Sequence, residues 1–157
     1  MGEADRKESE EVMLIVVATE EECRKAKELF IGNEIIQTGV GPLNIIEKLR
    51  ELPRETEIVN FGYCGSNSIA KGTRVEVSTC ELMHENADFQ SPKYIMQENG
   101  VSCYTSNDFV LNTQKKEPCV FDMELAYILA LGFKNVRSIK IVSDNLNYKE
   151  YEGAIET

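Results

Sequence analysis

Apolar residues in this chain gather into short runs separated by polar, glycine-bearing stretches, which predicts strands alternating with helices. Residues 13–18 (MLIVVA) are apolar without a break, the mark of a strand buried on both faces. Thr19 suits an N-cap, with Glu20, Glu21 and Glu22 in the first helical turn. A short strand is expected over 34–37, then Thr38-Gly39-Val40-Gly41-Pro42, then an amphipathic helix through Leu43, Ile46 and Leu49. Pro42 fits the first helical position. Residues 57–61 predict another strand, running into the glycine turn Gly62-Tyr63-Cys64-Gly65-Ser66. Residues 73–79 alternate in strand fashion behind Gly72. Residues 84–100 are polar, with Pro92 and Gly100, and read as an excursion without a period. A strand is then expected over 101–105, a helix over 123–131, and a last strand over 135–142.

That order predicts an α/β fold in three layers, a central, mostly parallel, twisted sheet flanked by helices. At 157 residues the chain is expected to form one domain over 13–157. The polar, acidic residues 1–12 have almost nothing to bury and read as a disordered leader. Residues 148–152 read as the start of a further helix.

Composition narrows the class. A hydrophobic content of 42% with 28% charged residues is that of an ordinary globular domain. The net charge of −10 argues against a nucleic-acid partner, because phosphate contacts need clustered Lys and Arg. It leaves room for a small anion bound by loop amides or a helix N-terminus. Five cysteines (Cys23, Cys64, Cys80, Cys103 and Cys119) are odd in number and lack C-x-x-C spacing, which fits a reducing, cytoplasmic setting better than a disulfide or zinc framework. No apolar run is long enough to span a membrane.

The candidate chemistry lies in two carboxylates twenty residues apart. Glu124 sits in Phe121-Asp122-Met123-Glu124-Leu125-Ala126 at the expected start of a helix. Asp144 closes the apolar strand Ile139-Lys140-Ile141-Val142-Ser143-Asp144. A helix start and the carboxyl end of the next strand are where an open α/β sheet builds its ligand crevice. One acid to hydrogen-bond hydroxyls and one to deliver a proton is the equipment for cleaving a nucleoside's glycosidic bond. Each has a plainer reading: Glu124 as a favourable charge at a helix start, Asp144 as the cap of a following turn. Glu22 equally completes a capping box with Thr19. The glycines of Thr38-Gly39-Val40-Gly41 and Gly62-Tyr63-Cys64-Gly65 follow two strands, where they let backbone amides approach a ligand or simply turn the chain. Phe109 suits stacking on a flat base as well as core packing. His84, the only histidine, lies in a polar stretch and reads as a surface residue.

Seven segments, in order, resemble the nucleoside phosphorylase and nucleosidase superfamily, and within it the bacterial methylthioadenosine/S-adenosylhomocysteine nucleosidases. They are Val16-Val17-Ala18-Thr19-Glu20-Glu21-Glu22, Thr38-Gly39-Val40-Gly41, Asn60-Phe61-Gly62-Tyr63-Cys64-Gly65, Lys71-Gly72-Thr73-Arg74-Val75-Glu76-Val77-Ser78, Ser106-Asn107-Asp108-Phe109-Val110, Asp122-Met123-Glu124 and Val142-Ser143-Asp144. The resemblance implies that Asp144 protonates the purine N7, with Ser143 fixing its orientation. Glu124 would accept hydrogen bonds from the ribose hydroxyls and Met123 would pack on the sugar. Phe109 would stack on the base, Val110 would read its edge through the backbone, and Glu22 would polarise the attacking water. Tyr63, Cys64 and Gly65 would line the substrate site. No metal and no organic cofactor are implied. Residues 84–89 match the family's loop across a dimer interface, which implies a homodimer.

Hydrolysis and phosphorolysis differ in the second substrate. The family's trimeric and hexameric phosphorylases hold phosphate with an arginine at the position of Asn60 and a serine at that of Tyr63. Asn60 and the Glu20-Glu21-Glu22 cluster instead match the hydrolases, so the resemblance favours a purine nucleosidase. A phosphorylase using phosphate as co-substrate, and a non-catalytic nucleoside-binding module, are the alternatives. Three residues depart from the pattern: Tyr63 in place of a small residue, Lys140 in place of an arginine, and Leu125 in place of an alanine. The resemblance also implies a shortened chain, lacking a hairpin after the first helix and a C-terminal helix over the site.

Overall fold

The computed structural model describes residues 13–83 and 91–146. The expected leader over 1–12, the loop over 84–89 with His84, and the helix start over 148–152 lie outside the described residues. In chain order the described elements are β1 (Leu14–Val17), α1 (Glu20–Leu29), β2 (Glu34–Gln37), α2 (Pro42–Leu49), β3 (Glu57–Ser66), β4 (Arg74–Leu82), β5 (Tyr94–Ile95), β6 (Val101–Thr105), β7 (Cys119–Asp122), α3 (Leu125–Ala130) and β8 (Asn135–Asp144).

The unbroken apolar run of β1 is buried on both faces, as its composition requires. Ile15 and Val17 pack with Ala26 of α1, Val59 and Phe61. Leu14 and Val16 point the other way, into a cluster with Ile45 and Leu49 of α2 and Ile128 of α3. One helix therefore covers one face of the sheet and two cover the other. Ile15, Ile45, Leu49 and Ile128 are fully buried, so truncating any of them to alanine should cost about 2–5 kcal/mol. Helix α2 buries Leu49 of the stripe expected from its sequence, together with Ile45, but leaves Leu43 80% exposed and Ile46 38% exposed. Positions 45 and 49 stand one turn apart, and eight residues bury only that narrow side.

Most of the strand pairings are parallel, as the element order predicts, but the sheet is neither wholly parallel nor open. It is mixed, and part of it closes. β1 runs parallel to both β2 and β3. β3 then continues along β8 in parallel while its far end pairs antiparallel with β7. β7 pairs β6, β6 pairs β4, and β4 returns antiparallel to β8. The circuit β3-β7-β6-β4-β8 is a closed five-stranded barrel with β1 and β2 attached as an open flap. Closure is possible because β3 and β8 each run ten residues, long enough to serve different neighbours along their length. Cys64, Val77, Cys80, Cys103, Val120 and Val142 form the cluster of this half, joined by Leu125 and Ala126 of α3.

The expected glycine turn at 62–65 is strand: β3 passes straight through both glycines to Ser66. The helix expected from residue 123 begins instead at Leu125, and Glu124 is its N-cap residue with no side-chain cap bond. The capping function falls to Asp122, whose Oδ2 accepts the Leu125 N–H at 2.8 Å.

Candidate active site

On one edge of β3 the carboxyl ends of β1 and β7 approach each other from opposite directions. β1 pairs β3 as far as Asn60, and β7 takes up the same strand again at Gly65. Between them the edge of β3 at 61–64 is unclaimed, and a cavity of about 320 Å³ lies against it. Its wall is built from the chain just after β1 (Ala18, Thr19, Glu22), after β2 (Val40), after β6 (Asp108, Phe109, Val110) and at the ends of β7 and β8. Tyr63, Cys64 and Gly65 supply the β3 side. This is the crevice at the carboxyl ends of strands that an α/β sheet offers to a ligand. The ten residues singled out from sequence, Glu22, Tyr63, Cys64, Gly65, Phe109, Val110, Met123, Glu124, Ser143 and Asp144, all line this one cavity.

Glu22 is buried and hydrogen-bonded through both carboxylate oxygens. Its Oε1 accepts the N–H groups of Ala18 at 2.9 Å and Thr19 at 3.2 Å, while the Thr19 Oγ1 accepts the Glu22 N–H, closing the capping box. Its Oε2 reaches across to β3 and accepts the Tyr63 N–H at 2.9 Å. The same side chain thus fixes the start of α1 and ties it to the sheet. Burial pushes its carboxyl above the usual range; the Lys140 charge and three N–H donors pull the other way without overcoming it.

Asp144 is completely buried at the end of β8. The pairing of β3 with β8 slips at Cys64/Gly65, so that Gly65 faces Asp144 and Ser143 is the extra residue of a bulge. The Ser143 Oγ lies 2.9 Å from Asp144 Oδ2 and 3.3 Å from the Cys64 carbonyl oxygen. Asp144 Oδ1 accepts the Leu146 N–H at 2.8 Å in a tight turn, with Leu146 at φ 68°. Both plain and functional readings of this residue therefore have a physical basis: one oxygen stabilises a turn, the other is oriented by Ser143 at the cavity wall.

Glu124 is buried with Asp122 and Glu22 as neighbouring negative charges. Burial and those two charges, against the partial relief of Lys140, raise its carboxyl to about 8. Tyr63 is half-buried, and its phenol is pushed up by burial and by Glu22, Glu28 and Glu21. The Cys64 thiol is pushed up by burial, so it is an inert lining group.

Two residues that the sequence reading left without a role support this wall. Asp122 lines the cavity and Lys140 lies behind it, and both side chains are fully buried. Lys140 Nζ is 3.1 Å from Asp122 Oδ2 and donates to Asn60 Oδ1 at 2.7 Å, which also accepts Ser138 Oγ at 2.9 Å. Asp122 Oδ1 accepts Thr105 Oγ1 at 2.6 Å. A lysine inside the apolar run 139–142 was the signal in the sequence, since a charge there must be paired.

No protein-family model matches the chain, and no curated protein does. Solved structures do match, and what they show is the fold, which this chain shares with futalosine hydrolase and with MTA/SAH nucleosidases. Futalosine hydrolase of Helicobacter pylori aligns with a TM-score of 0.76 at 12% identity, over 92% of this chain and 90% of that one. A variant of MTAN from Chlamydia trachomatis, bound to MTA, aligns at 0.74 and 11%, over 92% and 89%. The 5′-methylthioadenosine/S-adenosylhomocysteine nucleosidase of S. pneumoniae, with a transition-state inhibitor, aligns at 0.71 and 15%, over 92% and 91%. The fold expected from the seven sequence segments is the fold found. The sheet is mixed and partly closed, with most of its pairings parallel.

Proposed function

We propose that this cavity hydrolyses the N-glycosidic bond of a purine nucleoside of the methylthioadenosine type, releasing free base and sugar. The observation that carries this reading is the Ser143–Asp144 pair set in the same small cavity as Glu22, Glu124 and the Phe109 ring. In this reading Asp144 gives its proton to the purine N7, so that the base departs neutral, and Ser143 holds the carboxyl in line. As the bond to C1′ breaks, the sugar gains positive charge, and nearby carboxylates favour that state over the neutral ground state. Glu22 Oε2 accepts one N–H and keeps a second lone pair for the attacking water. Glu124 holds the ribose hydroxyls, with Met123 against the sugar. Phe109 and the Val110 backbone hold the base.

Water rather than phosphate is the nucleophile in this reading, for an electrostatic reason. Among the described residues the cavity lining includes Glu22, Asp108, Asp122, Glu124 and Asp144 and contains neither lysine nor arginine. The buried Lys140 is already committed to Asp122 and Asn60. A phosphate dianion would meet carboxylates and no bidentate cation. The reaction so written uses no metal and no organic cofactor. The half-buried Tyr63 beside Glu22 favours a second reading, a cavity that binds nucleosides without cleaving them.

The test is chromatographic detection of free base from methylthioadenosine, adenosine and inosine, each with and without phosphate. Release without phosphate supports hydrolysis, and release only with phosphate makes the protein a phosphorylase. Binding with no release under either condition favours the second reading.

A further inference from the structure

We propose that the buried pair Lys140 and Asp122 is an electrostatic setting for the cavity carboxylates, with Lys140 a positioning residue that acts through Asp122 and touches no substrate. The geometry is unusual for a charge pair of structural purpose alone. Both side chains are completely buried, where an ion pair gains little over apolar packing. Yet one member of the pair faces the cavity and the other does not. Asp122 Oδ2 is shared between the Lys140 ammonium and the Leu125 N–H, so the pair also fixes the helix start that carries Glu124. Asn60 Oδ1, held by Ser138 Oγ, clamps the ammonium from the β3 side. Four elements thus converge on one cation: β3 through Asn60, β6 through Thr105 on Asp122, the β7–α3 junction through Asp122 itself, and β8 through Ser138.

The titratable groups that act on this ammonium come from three neighbouring parts of the fold. Glu22 stands on α1, Asp122 and Glu124 at the β7–α3 junction, and Cys103 on β6. Burial alone would favour a neutral lysine, but Asp122, Glu124 and Glu22 outweigh it and keep the ammonium charged. In turn Asp122 stays ionised despite burial, held by Lys140, Thr105 and the Leu125 N–H. Glu124 feels both members of the pair, Lys140 favouring its ionised form and Asp122 opposing it, while Lys140 also favours the ionised form of Glu22. The two charges therefore pull Glu124 in opposite directions, and their balance sets where it titrates.

That opposition gives a signature that a merely structural role would not produce. The measurement is a carbon-detected NMR titration of the glutamate carboxyls, in protein labelled at the glutamate side chain and free of any ligand. Asp122→Asn should lower the titration midpoint of Glu124 by about one pH unit or more, and Lys140→Met should raise it by a similar amount. The double variant should return between the two, and Lys140→Arg, which keeps the charge, should stay near the parent. Equal-signed shifts in the two single variants, or none, would overturn the proposal. Should Lys140→Met fail to fold, the contrast of Asp122→Asn with Lys140→Arg still decides it: only the first should move Glu124, and equal behaviour of the two would refute it.

The catalytic side of the inference rests on the hydrolase reading: the acid limb of base release should move with the same signs. The titration needs no substrate, so opposite-signed shifts with no base release would leave the pair standing and remove the hydrolase reading alone.

Discussion

Gly62 is bare because Glu22 occupies the space its side chain would take. A Cβ built on Gly62 would lie 2.6 Å from Glu22 Oε2, the oxygen that accepts the Tyr63 N–H. The Glu22 carboxylate is held on its other side by the capping box, so it has no free direction in which to give. Gly62→Ala should break the Tyr63 bond and push the carboxylate away from β3. The expected cost is about 1–3 kcal/mol of stability, with base release reduced far more than nucleoside affinity. Thermal unfolding together with single-turnover base release separates the two effects. Unchanged stability and turnover would mean that Glu22 has another place to go.

The raised carboxyl of Glu124 links stability to pH. Its ordinary value of 4.5 applies to the unfolded chain, and about 8 to the folded one. Between those limits the folded state holds a proton that the unfolded state does not, so this group's contribution to stability is full below 4.5 and declines as pH rises toward 8. Glu124→Gln removes the dependence. The variant should match the parent near pH 4.5 and become progressively more stable than it toward pH 8, while binding nucleosides less well through lost ribose contacts. Melting curves of both proteins across that range check this. A stability difference that stays constant with pH would contradict the raised carboxyl.

Phe109 belongs to the stretch between β6 and β7, with Asp108 exposed beside it and Val110 buried behind. If its ring stacks on the base, Phe109→Ala should weaken binding of adenine itself by about 1–3 kcal/mol, roughly five- to 160-fold. Ribose-5-phosphate or free ribose should bind as before. Calorimetric titration with adenine distinguishes stacking from core packing, because a packing role would lower the melting temperature and leave base affinity nearly unchanged.

The cysteines give a check on the fold that is independent of the site. Cys64, Cys80, Cys103 and Cys119 are buried, and Cys23 on α1 is partly exposed. Burial also pushes up the thiols of Cys64, Cys103 and Cys119, which slows thiolate chemistry further. A thiol reagent should therefore modify Cys23 first in the native protein and reach the other four only on unfolding. Mass mapping of the labelled peptides tests this, and early modification of Cys80 or Cys103 would contradict the closed barrel.

Much of this arrangement was legible in the residues because local rules carry it. The apolar run of β1, the Thr19–Glu22 capping box, Pro42 at the start of α2 and the buried strand leading to Asp144 each follow from composition at neighbouring positions. What stayed hidden depends on pairing at a distance. The four residues of β7 give no period of their own and become a strand only by bridging β3 and β6, which is what closes the barrel. The glycines at 62 and 65 suggested a turn, but they serve close approach within a strand: Glu22 crowds one, and Asp144 Oδ1 would lie 3.0 Å from a Cβ on the other. Lys140 was recognisable as a misplaced charge, yet its partner is eighteen residues away on another strand and no spacing rule names it.

The most direct test of the central claim is to compare the parent protein with Asp144→Asn for release of adenine from methylthioadenosine in phosphate-free buffer, measuring nucleoside affinity of both. The substitution removes the transferable proton and keeps the shape of the pocket. The expected result is adenine from the parent, none above background from the variant, and affinities within about tenfold of each other. Equal release by the two proteins would contradict the role of Asp144 and, with it, the hydrolytic mechanism built on that residue.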